Sequence, residues 1–327
     1  MPFKIGLLGS TQHTINCTQF LLDHPQFEVS WVLTPAPKPR GRKKELVPNP
    51  VQTWALKSLA PTVLIESQID ESVEKSVREI IGEDNRPDFL IVVDFGYKLP
   101  GWLIDLPKIM AINVHPSALP RWRGSSPGQF VLLHGEKKTT ISVITLAEEF
   151  DQGDIIFTKT IPVDSSWTQT EYYQTCFDKI SPELPHVLEQ LANKKVIAQA
   201  QPASSPTPLA RKLTKDDGFI DWANIGASLV GKTKPTTPLN PLLQKAYESL
   251  QDTDSPLSQL IEQAVRAFSP WPHVWTVIET KNGQKRMQIL ETSIDESGKL
   301  SLEKVQIEGK QPTTWNQIKN ILESSDT

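Results

Sequence analysis

Over its first two hundred residues the chain alternates short apolar runs with helical patterns, and this alternation constrains the fold more than any other feature. Residues 4–8, 27–33, 61–65, 89–93 and 110–115 read as strands, and helical periodicity appears at 14–23, 51–58 and 71–81. Two further strand candidates follow at 140–146 and 155–161. Strand, helix, strand in repetition predicts an α/β domain with a parallel-rich sheet covered on both faces. Ligands in such sheets bind outside the carboxyl ends of the strands. The segments to inspect are therefore Gly9-Ser10, residues 94–100 and residues 113–124.

The pattern then breaks. Gln201-Pro202-Ala203-Ser204-Ser205-Pro206-Thr207-Pro208 reads as an exposed linker. Beyond it lie short strand candidates at 275–279, 286–293 and 300–307, with Asn282-Gly283 and Ser297-Gly298 as turns between them. They predict a small antiparallel barrel. Residues 225–260 are polar, rich in Pro, Ser and Thr, and weakly periodic. They read as a surface insertion, partly disordered. The expected organisation is a catalytic domain over 1–200, a linker over 201–210, and a barrel domain over 211–327 with an insertion around 225–260.

A chain of 327 residues can support two such cores. Its net charge of −4 gives no global basic excess, so a nucleic-acid partner needs a local basic patch. Cys17 and Cys176 form no disulfide framework and no zinc spacing, which fits a reducing compartment. The first residues already read as a buried strand with no signal peptide before it, and no apolar run approaches membrane-spanning length. A cytoplasmic monomer without a membrane segment is expected.

The densest chemistry lies in Asn113-Val114-His115-Pro116-Ser117-Ala118-Leu119-Pro120-Arg121-Trp122-Arg123-Gly124. Asn113 and His115 stand at i and i+2 of a strand end, so both side chains leave the same face. An amide donor beside an imidazole can point at the oxyanion of a tetrahedral acyl-transfer intermediate. Phe150-Asp151-Gln152-Gly153-Asp154 is a glycine-containing turn after a later strand. A carboxylate there can hold the imidazole charged and relay a proton from an attacking amine. Taken singly, an Asn-x-His pair is ordinarily strand-end hydrogen bonding, and an Asp in such a turn is ordinarily a turn residue. Gly9-Ser10 lacks the full glycine pattern of a dinucleotide loop. Ser125-Ser126 is not flanked as a hydrolase nucleophile.

The two segments together resemble the signature of the folate-dependent formyltransferases, whose catalytic domain is Rossmann-like. The resemblance implies catalytic roles for Asn113, His115 and Asp151. It implies that Ser117, Ala118, Leu119 and Pro120 contact 10-formyltetrahydrofolate, the formyl donor, with no metal required. It also implies a loop beside the pterin pocket formed by Phe95, Gly96, Tyr97 and Leu99. Residues 37–51 look like the basic loop by which the methionyl-tRNA formyltransferases enter an acceptor stem. Lys38, Arg40, Arg42, Lys43 and Lys44 would supply its phosphate contacts. A basic run alone is more often a solvated surface loop. Residues 212–222 and Arg266-Ala267-Phe268-Ser269-Pro270-Trp271-Pro272 resemble that family's second, OB-like domain. The implied reaction formylates initiator methionyl-tRNA.

Some positions depart from the family's usual pattern. Glu149 stands where it usually has glycine, Asp94 where it has a small apolar residue, and Ala118 where it has leucine. Two alternatives remain from sequence: a sugar N-formyltransferase sharing the catalytic motif, and a non-catalytic relative that binds folate or tRNA.

Overall fold

The apolar runs do form strands in the computed structural model of the chain, which describes residues 1–40, 44–82, 85–281 and 283–323. The strands are β1 (Phe3–Leu8), β2 (Phe27–Pro35), β3 (Lys38–Arg40), β4 (Glu45–Val47), β5 (Thr62–Ile65), β6 (Phe89–Val92), β7 (Met110–His115), β8 (Lys138–Thr145), β9 (Ile155–Pro162), β10 (Val274–Ile278), β11 (Lys285–Ile294), β12 (Leu300–Ile307) and β13 (Thr313–Thr314). The helices are α1 (Gln12–Leu22), α2 (Pro50–Ser58), α3 (Glu71–Ile81), α4 (Gly101–Ile104), α5 (Pro127–Leu133), α6 (Gln169–Ile180), α7 (Leu184–Ala192), α8 (Trp222–Leu229), α9 (Pro241–Glu248), α10 (Pro256–Ala267) and α11 (Trp315–Glu323). Among the described residues no helix is long and apolar enough to cross a membrane.

The chain divides into two units. The first comprises Met1–Ser125, Lys138–Pro162 and Tyr173–Ala210; the second comprises Ser126–Lys137, Val163–Tyr172 and Arg211–Thr327. Seven strands of the first unit make one sheet in the order β5-β2-β1-β6-β7-β8-β9. From β5 to β7 neighbouring strands run parallel, and β8 and β9 add antiparallel. The chain steps outward from β1 to β5, then returns to the other side of β1 with β6. Such a switch point opens a crevice at the carboxyl ends of the strands. The two strand ends beside it are tied together. Thr11 Oγ1 donates to the Asp94 carboxylate (2.6 Å), Ser10 Oγ to the Asp94 carbonyl (3.3 Å), and Thr14 Oγ1 to the Val93 carbonyl (2.8 Å). Asp94 takes a positive φ of 49°, a conformation that aspartate tolerates better than the small apolar residue expected there.

The core explains why these runs stay strands. Trp31, Leu33, Ile65, Val77, Leu90 and Leu103 are fully buried in one cluster on a face of the sheet. Helix α3 joins it through Val73, Val77 and Ile81, spaced four apart on one stripe, and Asp70 caps its first turn by accepting from Ser72 N and Val73 N. Trp31 fits because β1 carries Gly6 opposite it. A Cβ on Gly6 would lie 2.7 Å from the indole and 2.9 Å from Leu90.

In the second unit β10, β11, β12 and β13 form a four-stranded antiparallel sheet, where the sequence predicts the strands of a small barrel. The expectation of a partly disordered insertion over 225–260 is overturned: α8, α9 and the start of α10 occupy it. Asn240 caps α9 by accepting from Leu242 N and Leu243 N, with Pro241 in the first turn. The helices bury Ile225, Leu243, Leu257, Leu260 and Ile261. Two of them are only eight residues long, too short to display a clear period. Residues 201–210, expected as a linker, belong to the first unit and are hydrogen-bonded to it.

Gly6→Ala is expected to destabilise the protein by about 1–3 kcal/mol, because the added methyl overpacks a full core. The cost should fall in a Trp31→Phe background, since the two sites share one volume. Urea unfolding of the two single variants and the double variant measures that coupling.

Candidate active site

The central strand β7 is the platform. Its side chains alternate, so Ala111, Asn113 and His115 share one face while Ile112 and Val114 bury into the other. Asn113 lies level with Val92 of β6 and Ile144 of β8, and His115 lies level with Ser142. The turn after β8 brings in Asp151. Its Oδ1 lies 3.5 Å from His115 Nδ1 and 3.4 Å from Asn113 Nδ2. Its Oδ2 accepts a short bond from the Gly124 N–H, 2.7 Å. The three expected catalytic residues therefore meet at the carboxyl end of β7.

Each member is held by backbone groups. His115 is 4% exposed, and its Nε2 lies 3.1 Å from the Trp122 carbonyl. A carbonyl only accepts, so Nε2 carries the proton and Nδ1 is the ring atom left facing Asp151. Asp151 sits at φ 57°, the left-handed region, on a turn that the next residues lock. A Cβ on Gly153 would fall 1.7 Å from the Thr145 carbonyl oxygen. Thr145 N donates to the Asp154 carbonyl (2.9 Å), and Asp154 N donates to Thr145 Oγ1 (2.8 Å). Gly124 takes φ 119°, which frees its N–H to reach the carboxylate.

An open cleft adjoins this cluster. Val92, Phe95, Tyr97, Leu99, Ile144 and Leu146 give it apolar walls, while Lys98, Asn113, Glu148, Glu149 and Asp151 add polar groups. Phe95 and Tyr97 pack ring to ring at 5.2 Å. Apolar walls with a few polar groups at the rim suit a flat heterocycle with polar edges. Glu149, a departure noted in the sequence, lines this cleft.

The other expected residues divide. Phe95, Tyr97 and Leu99 line the cleft; Gly96 is exposed in the same loop and does not. Ser117, Ala118, Leu119 and Pro120 form a separate turn that contributes nothing to the cleft lining. Ser117 Oγ bonds the Arg121 carbonyl (2.8 Å), Ser142 Oγ bonds the Ser117 carbonyl (2.8 Å), and the Leu119-Pro120 bond is cis. Within the basic loop β3 pairs antiparallel with β4. Lys38 and Lys44 are exposed on it, and Arg40 closes β3. Arg42, Lys43 and the Arg40 side chain lie outside the described residues.

Sequence reasoning missed the groups that aim the three residues. The Trp122 carbonyl and the Gly124 amide carry no side-chain signal, and the glycine-containing turn at Gly153 reads in sequence without its contact to Thr145. Gln201, from the presumed linker, donates to the carbonyls of Asp151 (2.9 Å) and Gly153 (2.6 Å). Cys17 is excluded as a nucleophile, since burial, with a smaller contribution from Asp178, pushes its thiol far above the usual range.

An amide and an imidazole face one carboxylate at the mouth of a cleft on this sheet, and a family match places the chain among the formyltransferases. A family model described as "Formyl transferase" matches residues 9–188. The methionyl-tRNA formyltransferase of Geotalea daltonii is 32% identical over 240 residues, covering 72% of this chain and 73% of the relative. The chain belongs to the methionyl-tRNA formyltransferase family. Solved structures share the fold. The methionyl-tRNA formyltransferase from Clostridium thermocellum superposes with a TM-score of 0.53 at 18% identity, over 93% of this chain and 98% of that one. An N-formyltransferase from Helicobacter canadensis, solved with folinic acid and dTDP-3-aminofucose, gives 0.55 at 13% identity, over 90% of this chain and 88% of that one.

Gly153→Ala is expected to lower the turnover number on the order of 10²-fold, because the turn must shift and carry Asp151 with it. Steady-state kinetics beside a thermal melt measure the loss and show that the fold survives.

Proposed function

We propose that the protein transfers the formyl group of 10-formyltetrahydrofolate to the α-amine of methionine on initiator tRNA. The observation that carries this reading is the meeting of Asn113, His115 and Asp151 around one point beside the cleft. The acceptor follows from the family: the relative from Geotalea daltonii, whose name gives methionyl-tRNA as its substrate, matches most of this chain.

The donor's pterin lies against Phe95, Tyr97 and Leu99, with its formyl carbon delivered toward Asn113. The turn at Ser117, Ala118, Leu119 and Pro120 borders the donor on the other side of His115. The neutral amine attacks the formyl carbon, and the carbonyl electron pair moves onto oxygen. Asn113 Nδ2 and, on the doubly protonated imidazole, His115 Nδ1 donate to that oxyanion, each lowering the barrier by about 2–4 kcal/mol. Asp151 faces both donors, stabilises positive charge on the imidazole, and takes up the proton that the attacking nitrogen must lose. The folate nitrogen leaves with the bonding pair and is reprotonated. Lys38, Arg40, Arg42, Lys43 and Lys44 contact acceptor-stem phosphates from the basic loop.

The experiment is formyl transfer from 10-formyltetrahydrofolate to charged initiator methionyl-tRNA. The wild type should formylate. Asn113→Ala and His115→Ala should each lose about 10²–10³-fold in kcat. Arg42→Ala should raise KM for the tRNA and flatten its salt dependence, with kcat little changed. Wild-type turnover in both Asn113→Ala and His115→Ala would refute the mechanism. Transfer to an amino sugar but not to tRNA would refute the acceptor.

A further inference from the structure

Gln201 closes a ring of contacts around the catalytic carboxylate. Its amide Nε2 donates to the carbonyls of Asp151 (2.9 Å) and Gly153 (2.6 Å), the two ends of the strained turn. Its Oε1 accepts from Arg123, from Nη2 at 2.8 Å and from Nε at 3.1 Å. Arg123 is covalently joined to Gly124, whose N–H holds Asp151 Oδ2. The loop that grips the carboxylate from its side-chain end is thus bridged, through one amide, to the peptide that carries the same carboxylate.

The chemistry of each partner makes an amide necessary. Asp151 O and Gly153 O accept only, so the group between them must donate twice. The Arg123 guanidinium donates only, so the same side chain must also accept. Glutamine at that reach satisfies both; a carboxylate or an alkyl chain satisfies at most one. Arg123 is 6% exposed, and its remaining bonds go to backbone carbonyls, Pro202 O at 2.9 Å and Ala203 O at 3.3 Å. Further contacts tie the same segment to the catalytic loop: Ser205 Oγ donates to the Pro120 carbonyl, Trp122 N to Thr207 Oγ1, and Ala210 N to the Arg123 carbonyl.

We infer that Gln201 is a positioning residue for formyl transfer, fixing the Asp151 peptide relative to the loop that carries Gly124. The inference rests on the formyl-transfer reading above. Gln201 does not line the cleft and is bonded to the turn, so it acts through Asp151. Its loss should therefore appear in kcat, with KM for either substrate unmoved.

The test compares wild type, Gln201→Ala and Gln201→Glu in the methionyl-tRNA assay, each with a thermal melt. Gln201→Ala is expected to lose between about 10-fold and 100-fold in kcat, with KM values within about twofold of wild type. Gln201→Glu separates positioning from mere tethering. It keeps acceptors for Arg123, so its Tm should lie no lower than that of Gln201→Ala. It sets carboxylate oxygens against two carbonyls, so its kcat should fall at least as far as in Gln201→Ala. Wild-type kcat in Gln201→Ala, or restoration of kcat by Gln201→Glu, would overturn the inference while leaving the formyl-transfer reading intact. Absence of wild-type transfer to methionyl-tRNA would overturn both.

Discussion

A short hydrogen bond from the Gly124 amide to the Asp151 carboxylate, 2.7 Å long, organises this site. Bonds to an ionised acceptor are roughly twice as strong as neutral ones, so this contact fixes one carboxylate oxygen. The other oxygen is then aimed at Asn113 and His115 together. Most of the neighbouring structure serves that bond. Gly124 takes a backbone angle open to glycine so that its N–H can point inward. Gly153 stays bare so that the turn can lie against Thr145. Asp151 itself is held in the left-handed region, a conformation that persists only where neighbours over-determine it.

The sheet supplies the second constraint. Asn113 and His115 need a strand to share a face, and β7 needs buried neighbours to stay rigid. Parallel pairing with β6 and antiparallel pairing with β8 give it both. The reversal of strand order between β1 and β6 leaves open space above the strand ends, and the residues with chemistry collect there. The Thr11–Asp94 bond closes one side of that region with a carboxylate, in place of the small apolar residue that the family resemblance led us to expect.

What was legible in the sequence was what is contiguous along the chain. Asn113 and His115 sit two apart on a strand, and period-two alternation alone puts them on one face. Asp151 required the joint pattern of two segments. The segment holding Phe95, Tyr97 and Leu99 stood out by its place after an apolar strand, and the family resemblance implied its role beside the pocket. Gln201 was illegible, because a lone glutamine in a Pro/Ser-rich stretch has no period and no motif. Its role depends on two carbonyls brought near by the fold. Helices α8 and α9 were hidden for another reason: eight residues show barely two turns, and the Asn240-Pro241 start reads equally well as a turn. The segment Ser126–Lys137 groups with the second unit although it continues directly from the catalytic motif. Chain continuity gave no sign of that boundary.

The central claim is that the charge on Asp151, held by Gly124 and turned toward Asn113 and His115, drives the chemical step. Single-turnover formyl transfer by Asp151→Asn tests it most directly, because asparagine keeps the shape of the side chain and removes its charge. The account predicts a rate lower by about 10²–10⁴-fold, in the range of a lost general acid–base group, with unchanged affinity for methionyl-tRNA and an unchanged melt. A rate within about threefold of wild type, far short of that general acid–base range, would contradict it.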